Sequence, residues 1–198
     1  MPLLKVESMM MKSYVVLLRG INVGGKNTIP MASLKACLSE LGFVNVSTYI
    51  ASGNVFLKSG ETAAQVEAKI EAGLIKSFKL DSQIIKALAL SRGQLQAVIE
   101  NKPKGFGEQP KKYHSDVIFL IHIPAPRAML AFNPRQGVDR IWSGRGVIYS
   151  QRLSVARTRS RLNQVMGSPL YKSMTIRNWN TTTKLFELLK AMDARAEA

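Results

Sequence analysis

Acidic side chains are scarce in this chain. Its 198 residues carry 28 Lys and Arg against 13 Asp and Glu, a formal net charge of +15. There is a single cysteine, Cys37, so an internal disulfide framework is excluded, and no cysteine–histidine pattern for zinc is present. Cys37 falls in step with Leu34, Leu38 and Leu41 on an expected helix, which makes it a buried apolar thiol. Histidine is limited to His114 and His122. On one strand these would lie on one face but roughly 26 Å apart, too far to share a metal. No carboxylate pair, catalytic triad or metal cluster emerges, so no catalytic residue, metal or cofactor is expected and enzyme status stays open. No apolar run approaches the roughly 18 residues of a membrane span, and the N-terminus lacks a basic start followed by an apolar segment. A cytoplasmic protein without a membrane partner is expected.

What is present points to a packed domain with an anionic partner. Hydrophobic residues make up 46% of the chain, enough for a sizeable core. The positive charge is uneven: Arg140 to Lys184 contains nine Arg or Lys and no Asp or Glu. Nucleic acid is one natural partner, because neutralising its phosphates releases counterions; phosphorylated small molecules and acidic proteins are others.

Periodicity and turn signals then set out the elements. Residues 1–11 (MPLLKVESMMM) show no period and read as a flexible leader. A strand from Tyr14 to Leu18 precedes a glycine loop, and a helix starts near Pro30 and stops at Gly42. Val46 to Ala51 and Val55 to Lys58 read as strands joined through Ser52-Gly53-Asn54, with Gly53 at positive φ. A helix from Thr62 to Phe78 and a strand from Gln83 to Leu88 complete a βαββαβ order. The rest echoes that order. A linking helix (Gln94 to Glu100) and a loop (Lys102 to Lys112) lead to a strand from His114 to Ile121 and a short helix around Arg127 to Leu130. Strands Val138 to Trp142 and Val147 to Tyr149, a helix near Arg159 to Met166, a strand around Met174 to Ile176 and a last helix, Thr182 to Met192, follow. The expected class is α+β, with two tandem ferredoxin-like (α-β plait) domains at 12–89 and 113–198, joined by residues 90–112. Because YVVLL is apolar on both faces, its sheet must be covered on both sides. The other half of the chain is the simplest cover, which would put a ligand in the crevice between the two sheets.

Three segments carry candidate binding residues. RGINVGGKN (Arg19 to Asn27) nearly matches a P-loop, but Asn27 stands where a magnesium-binding hydroxyl is needed and Pro30 delays the helix. It reads as a structured loop in which Gly20, Gly24 and Gly25 allow positive φ and Asn22 and Asn27 tie the backbone; Arg19, Lys26 and its N–H groups could also meet an anion. ARTRSRL (Ala156 to Leu162) clusters Arg157, Thr158 and Arg159 with no acid nearby, either a solvated surface or a compensated anion site. TIRNWNTTTKL (Thr175 to Leu185) has caps in excess: Asn178, Asn180, Thr181 and Thr182 can each accept from a helix N-terminus, with Trp179 as a staple. Alternatively Arg177 and the amides face a ligand. An RNA-recognition platform would have to use Tyr14 and Phe56, and GNVFLK lacks the aromatic-rich pattern of such modules.

RGINVGGKN followed by I-P-M-x-x-L, then Y-I-x-S-G-N-V from Tyr49 to Val55, and R-N-W-N-T from Arg177 to Thr181 together resemble the bacterial family called domain of unknown function 1697. The resemblance spans residues 12 to 190. It implies two tandem ferredoxin-like domains and no established activity. Members usually carry Gly-Arg-Ser/Thr-Lys-Leu upstream of the Arg-Asn-Trp-Asn motif. Here Ala156 to Ser160 stand in that place, with Ala for Gly and Ser for Leu but the positive charge kept. The leading functional reading is a non-enzymatic binder of an anionic ligand, RNA or DNA, through Arg19, Gly20, Asn22, Gly24, Gly25, Lys26, Asn54, Arg157, Thr158, Arg159, Arg177, Asn178, Trp179 and Asn180. Its alternatives are an enzyme or sensor for a phosphorylated metabolite and a protein-interaction or oligomeric role; the oligomeric state is open.

Overall fold

The computed structural model describes residues 11–82 and 84–197, so the expected leader lies outside the described residues through position 10. The chain divides into two compact units, one running to Leu95 and resuming at Leu185, the other spanning Gln96 to Lys184. Each is a mixed α+β unit containing one four-stranded antiparallel sheet.

In the first unit β1 (Lys12–Arg19), α1 (Met31–Glu40), β2 (Val44–Tyr49), β3 (Asn54–Ser59), α2 (Ala63–Ser77) and β4 (Lys86–Ser91) follow in order, and the sheet reads β2-β3-β1-β4. Strand alternation sends Tyr14, Val16, Leu18, Val55 and Leu57 to one face. There they meet Leu34, Cys37 and Leu38 of α1 and Val66, Ile70 and Leu74 of α2, which recur at helical spacing. Cys37 is a buried free thiol, as its spacing predicts. The opposite sheet face is buried as well, at Val15, Leu17, Phe56, Leu88 and Leu90. Tyr14 and Phe56 are therefore core residues and offer no open stacking platform. Helix α2 opens with a full capping box, Thr62 and Gln65 bonding each other's backbone N–H.

An edge strand exposes unpaired N–H groups, and here two carboxylates cover them. Glu67 and Glu71, one turn apart on α2, accept from the N–H of Ala89 at 2.8 Å and of Ala87 at 2.9 Å on β4. Residues two apart on a strand and four apart on a helix thus come into register, and the two alanines let the helix approach. Lys86 adds an ion pair to Glu71 at 3.0 Å.

The second unit contains β5 (Tyr113–Leu120), α4 (Ala125–Met129), β6 (Asp139–Gly144), β7 (Val147–Leu153) and β8 (Met174–Asn178), ordered β6-β7-β5-β8. Helices α3 (Arg92–Glu100) and α5 (Trp179–Glu197) each cross a unit boundary. Ser91 and Gln94 form a capping box at the start of α3, so that helix begins at Arg92, two residues before the expected Gln94. One sheet face packs Ile118, Leu120, Ile148 and Met174 against Ala128 and Val165.

Several expectations need correction. β4 begins at Lys86 rather than Gln83, because residues 81 and 82 are held by Asn27; Gln83 itself lies outside the described residues. β2 stops at Tyr49 since Ile50 takes φ 51°, a left-handed conformation unusual for a β-branched residue. His122 is not on the strand with His114 but follows it at φ 55°. The helix expected near Arg159 to Met166 is instead a series of 3₁₀ helices, Ser154–Arg159, Leu162–Gly167 and Pro169–Ser173, interrupted by extended Ser160 and Ser168.

Replacing Glu67 with Ala leaves the Ala89 N–H without its carboxylate and should cost about 1–3 kcal/mol in denaturant unfolding. Gln, which keeps an acceptor and nearly the same shape, should recover more than half of that loss; equal loss in both variants would mean that the carboxylate charge is what counts at this position.

Candidate functional site

The glycine loop of the first unit is a miniature hairpin. Val23 and Lys26 bridge, with Lys26 N–H donating to Val23 O at 3.0 Å, and Gly24 and Gly25 between them take φ 58° and 74°. Two consecutive positive φ values define the tight turn that matches strand twist, which explains the glycine pair. Both asparagines are spent on the backbone. Asn22 accepts from Ile29 N–H at 2.7 Å and donates to Ile29 O and Ala51 O. Asn27 donates to Gly20 O and Ser82 O and accepts from Ser82 N–H, while its own N–H donates to Asp81. At Gly20, a Cβ would stand 2.4 Å from Ile84 O, so only glycine fits. Asn54 is fully buried and donates to Tyr49 O and Ser52 Oγ, bracing the 50–53 turn. Since α1 starts at Met31, no helix terminus meets Gly25-Lys26 and the loop lacks P-loop geometry. Lys26 is exposed and Arg19 half-buried at its base.

In the second unit, a buried ionic chain organises one end of the sheet. Asp116 on β5 receives Arg152 of β7 on one carboxylate oxygen at 3.1 Å and His114 Nε2 on the other at 3.1 Å. Arg152 donates onward to Asn163 Oδ1 at 2.9 Å. Opposite Arg152 in the β6–β7 register sits Asp139, also buried, whose Oδ2 accepts the N–H groups of Arg135 and Arg161. Burial alone would raise the Asp139 carboxyl's pKa. The N–H groups of Arg135 and Arg161, the Ser160 hydroxyl and the Arg152 charge outweigh that and hold it below the usual aspartate range.

Asp139 explains why the Arg-rich segment is not an α-helix. Its carboxylate takes the Arg161 N–H, and Ser160 is extended at ψ 141°, so the chain turns there instead of continuing a helix. Arg157, Thr158 and Arg159 project from the preceding 3₁₀ helix and are exposed; among the described residues neither arginine forms an ion pair. That helix begins where Ser154 N–H donates to Lys112 O. Arg140 and Lys112 stand 5.4 and 5.2 Å from the Tyr113 ring centroid. Antiparallel pairing brings the start of β5, the start of β6, and the ends of β7 and β8 to this same end of the second sheet.

The Arg-Asn-Trp-Asn segment arrives there too, but its residues part ways. Arg177 is buried, donates to Thr175 Oγ1 and Ile176 O, and has its pKa lowered to about 10 by desolvation. Asn178 caps α5 by accepting Thr181 N–H at 2.7 Å. The hydroxyls of Thr182 and Thr183 donate back to Asn178 O and Asn180 O rather than cap the helix. Trp179 is no staple: it packs edge-on against Phe106, centroids 5.3 Å apart, and lies so close to Gly107 that a Cβ there would fall 2.3 Å from its ring. With His114, Ser115, Asn178 and Asn180 it walls a cavity of about 120 Å³. Thus the Arg157–Arg159 cluster and the Asn178–Asn180 segment share one end of the second unit, while Arg19 to Lys26 and Asn54 belong to the first unit.

The sequence reading overlooked His114, Asp116, Arg152 and Asp139. His114 and Asp116 are two apart on a strand, so their shared face was available as a signal; the Arg152 and Asp139 partners needed the strand register.

Sheet order and site together define a mixed α+β protein of two sheet-bearing units with a basic end on the second. The chain belongs to the family described as Protein of unknown function (DUF1697), whose family model matches residues 11–149. Among solved structures it is similar to the conserved bacterial protein SP0830 from Streptococcus pneumoniae, at 27% identity and a TM-score of 0.74, over 90% of this chain and 99% of that one. The comparison with curated proteins returns no match. Among the described residues, no helix is long and apolar enough to cross a membrane.

Because the Asp139 carboxyl titrates lower in the folded state than in the unfolded chain, its stabilisation is complete above about pH 4 and is lost as pH falls through the folded value. Asp139→Asn should lower stability at neutral pH and flatten the acid limb of a pH–stability curve. An unchanged acid limb would show that other carboxylates set it.

Proposed function

We propose that this protein is a non-enzymatic binder of a polyanion, RNA or DNA, in the cytoplasm, built from two tandem ferredoxin-like domains at 12–89 and 113–198 with 90–112 between them. The strand orders β2-β3-β1-β4 and β6-β7-β5-β8 support that domain type. One observation carries the functional reading. The second unit, Gln96 to Lys184, holds fifteen Lys and Arg against four Asp and Glu; of those acids Asp116 and Asp139 are buried and engaged, and exposed Glu108 is paired with Lys102. Positive charge therefore outweighs negative charge on the solvent-facing surface there. Lys111, Lys112, Arg140, Arg157 and Arg159 are exposed and supply point charges and guanidinium forks for phosphates; Tyr113, with the Lys112 and Arg140 cations 5.2 and 5.4 Å from its ring centroid, adds an aromatic ring among them.

The reading makes a quantitative demand on salt. Five phosphate contacts to a single strand give a slope of log affinity on log salt of about −3.5, so affinity should fall roughly 100-fold between about 50 and 200 mM salt. Removing Arg157 and Arg159 together should bring the slope to about −2 in fluorescence anisotropy titrations. A protein that ignores both RNA and DNA at low salt is not a nucleic-acid binder.

A further inference from the structure

The cavity beside Trp179 has a hydrogen-bonding character that its residue names alone do not disclose. Asn178 has spent its carbonyl oxygen on Thr181 N–H, which leaves its amide NH₂ to donate. Ser115 Oγ accepts from Gln151 Nε2 at 3.1 Å, which leaves its hydroxyl proton for a ligand. The Trp179 indole N–H is a donor by its chemistry. His114 is held through Nε2 by Asp116 at 3.1 Å, which fixes its ring in the cavity wall. No carboxylate lines the cavity. Of the carboxylates next in sequence to lining residues, Asp116 has one oxygen on His114 and the other on Arg152, and Glu108 is paired with Lys102 at 2.8 Å. Lys111 and Lys112 follow directly on Pro110 of the cavity wall.

Ser115, Asn178 and Trp179 thus offer the wall three donors, and about 120 Å³ is well below the roughly 300–1,000 Å³ of a metabolite site. It suits a single oxyanion group whose remainder stays outside, against Trp179 and Pro110. We propose that this cavity is a subsite for a phosphomonoester, with Ser115, Asn178 and the Trp179 indole donating to its oxygens and His114, held by Asp116, packed beside them. The proposal rests on the polyanion reading for its surroundings but not for its donors. A phosphomonoester occurs at the end of a nucleic-acid strand and on small phosphorylated metabolites, and a test must separate the two.

Two oligoribonucleotides of one sequence, one with a 5′-phosphate and one with a 5′-hydroxyl, are titrated against the full chain, and adenosine monophosphate is titrated separately with ¹H–¹⁵N spectra. A strand-end subsite predicts about tenfold tighter binding of the phosphorylated strand. His114→Ala, and His114→Gln, which keeps a partner for Asp116, should bring that ratio towards one while the 5′-hydroxyl affinity stays put. Arg157→Ala with Arg159→Ala should instead weaken both strands alike. Equal strand affinities together with saturable, His114-dependent shifts of the Trp179 indole and Asn178 amide signals on adding the nucleotide would support the subsite with a free phosphomonoester as its ligand. Equal affinities with no saturable shift overturn it, whether or not the 5′-hydroxyl strand binds; failure of that strand to bind at low salt sinks the polyanion reading by itself.

Discussion

Each sheet is built around a central strand that is buried on both faces. Val15, Val16 and Leu17 of β1 are fully buried, and Val117, Ile118 and Phe119 of β5 are nearly so. A strand of this kind needs cover on two sides, and each buried Val, Leu or Phe contributes on the order of 1.5–3 kcal/mol only while that cover is in place. Helices α1 and α2 supply it on one side of the first sheet. With both faces occupied, chemistry is left to the strand ends and the loops, where the backbone can leave the ladder.

The two units manage polar groups near those ends differently. In the first, asparagines do the work: Asn22, Asn27 and Asn54 stitch three loops together by backbone contacts, and Glu67 and Glu71 cover a sheet edge. The outcome is a rigid end with little uncommitted polarity. In the second unit acids are few, and two of the four, Asp116 and Asp139, are buried against arginine or backbone N–H. Turning them inward leaves the outer surface basic. That arrangement also unwinds the Arg-rich segment, since the N–H of Arg161 is drawn to Asp139.

Much of the architecture was legible because it rests on local period and turn chemistry. The α2 capping box, the glycine at φ 75° in the 50–53 turn and the late start of α1 could all be read from residue order. The misread elements share a cause. β4 slipped three residues because contacts from Asn27, some fifty-five positions away, hold its approach, and the Arg159 to Met166 helix gave way to 3₁₀ turns at extended Ser160, beside which the Arg161 N–H meets a carboxylate from another strand. Local pattern contains neither partner.

The candidate site divides in the same way. Sequence by itself determined that the chain folds as α+β, that positive charge concentrates between Arg140 and Lys184, and that RGINVGGKN is no nucleotide-gripping P-loop. These follow from composition, period and the position of one proline. Only the tertiary structure decided that Arg177 and Asn54 are interior, that Arg157 and Arg159 share an end with Asn178 and Trp179, and that His114 stands over Asp116. Burial and strand register are properties of distant pairs, and a side chain's remaining hydrogen-bond capacity is known only once its partners are.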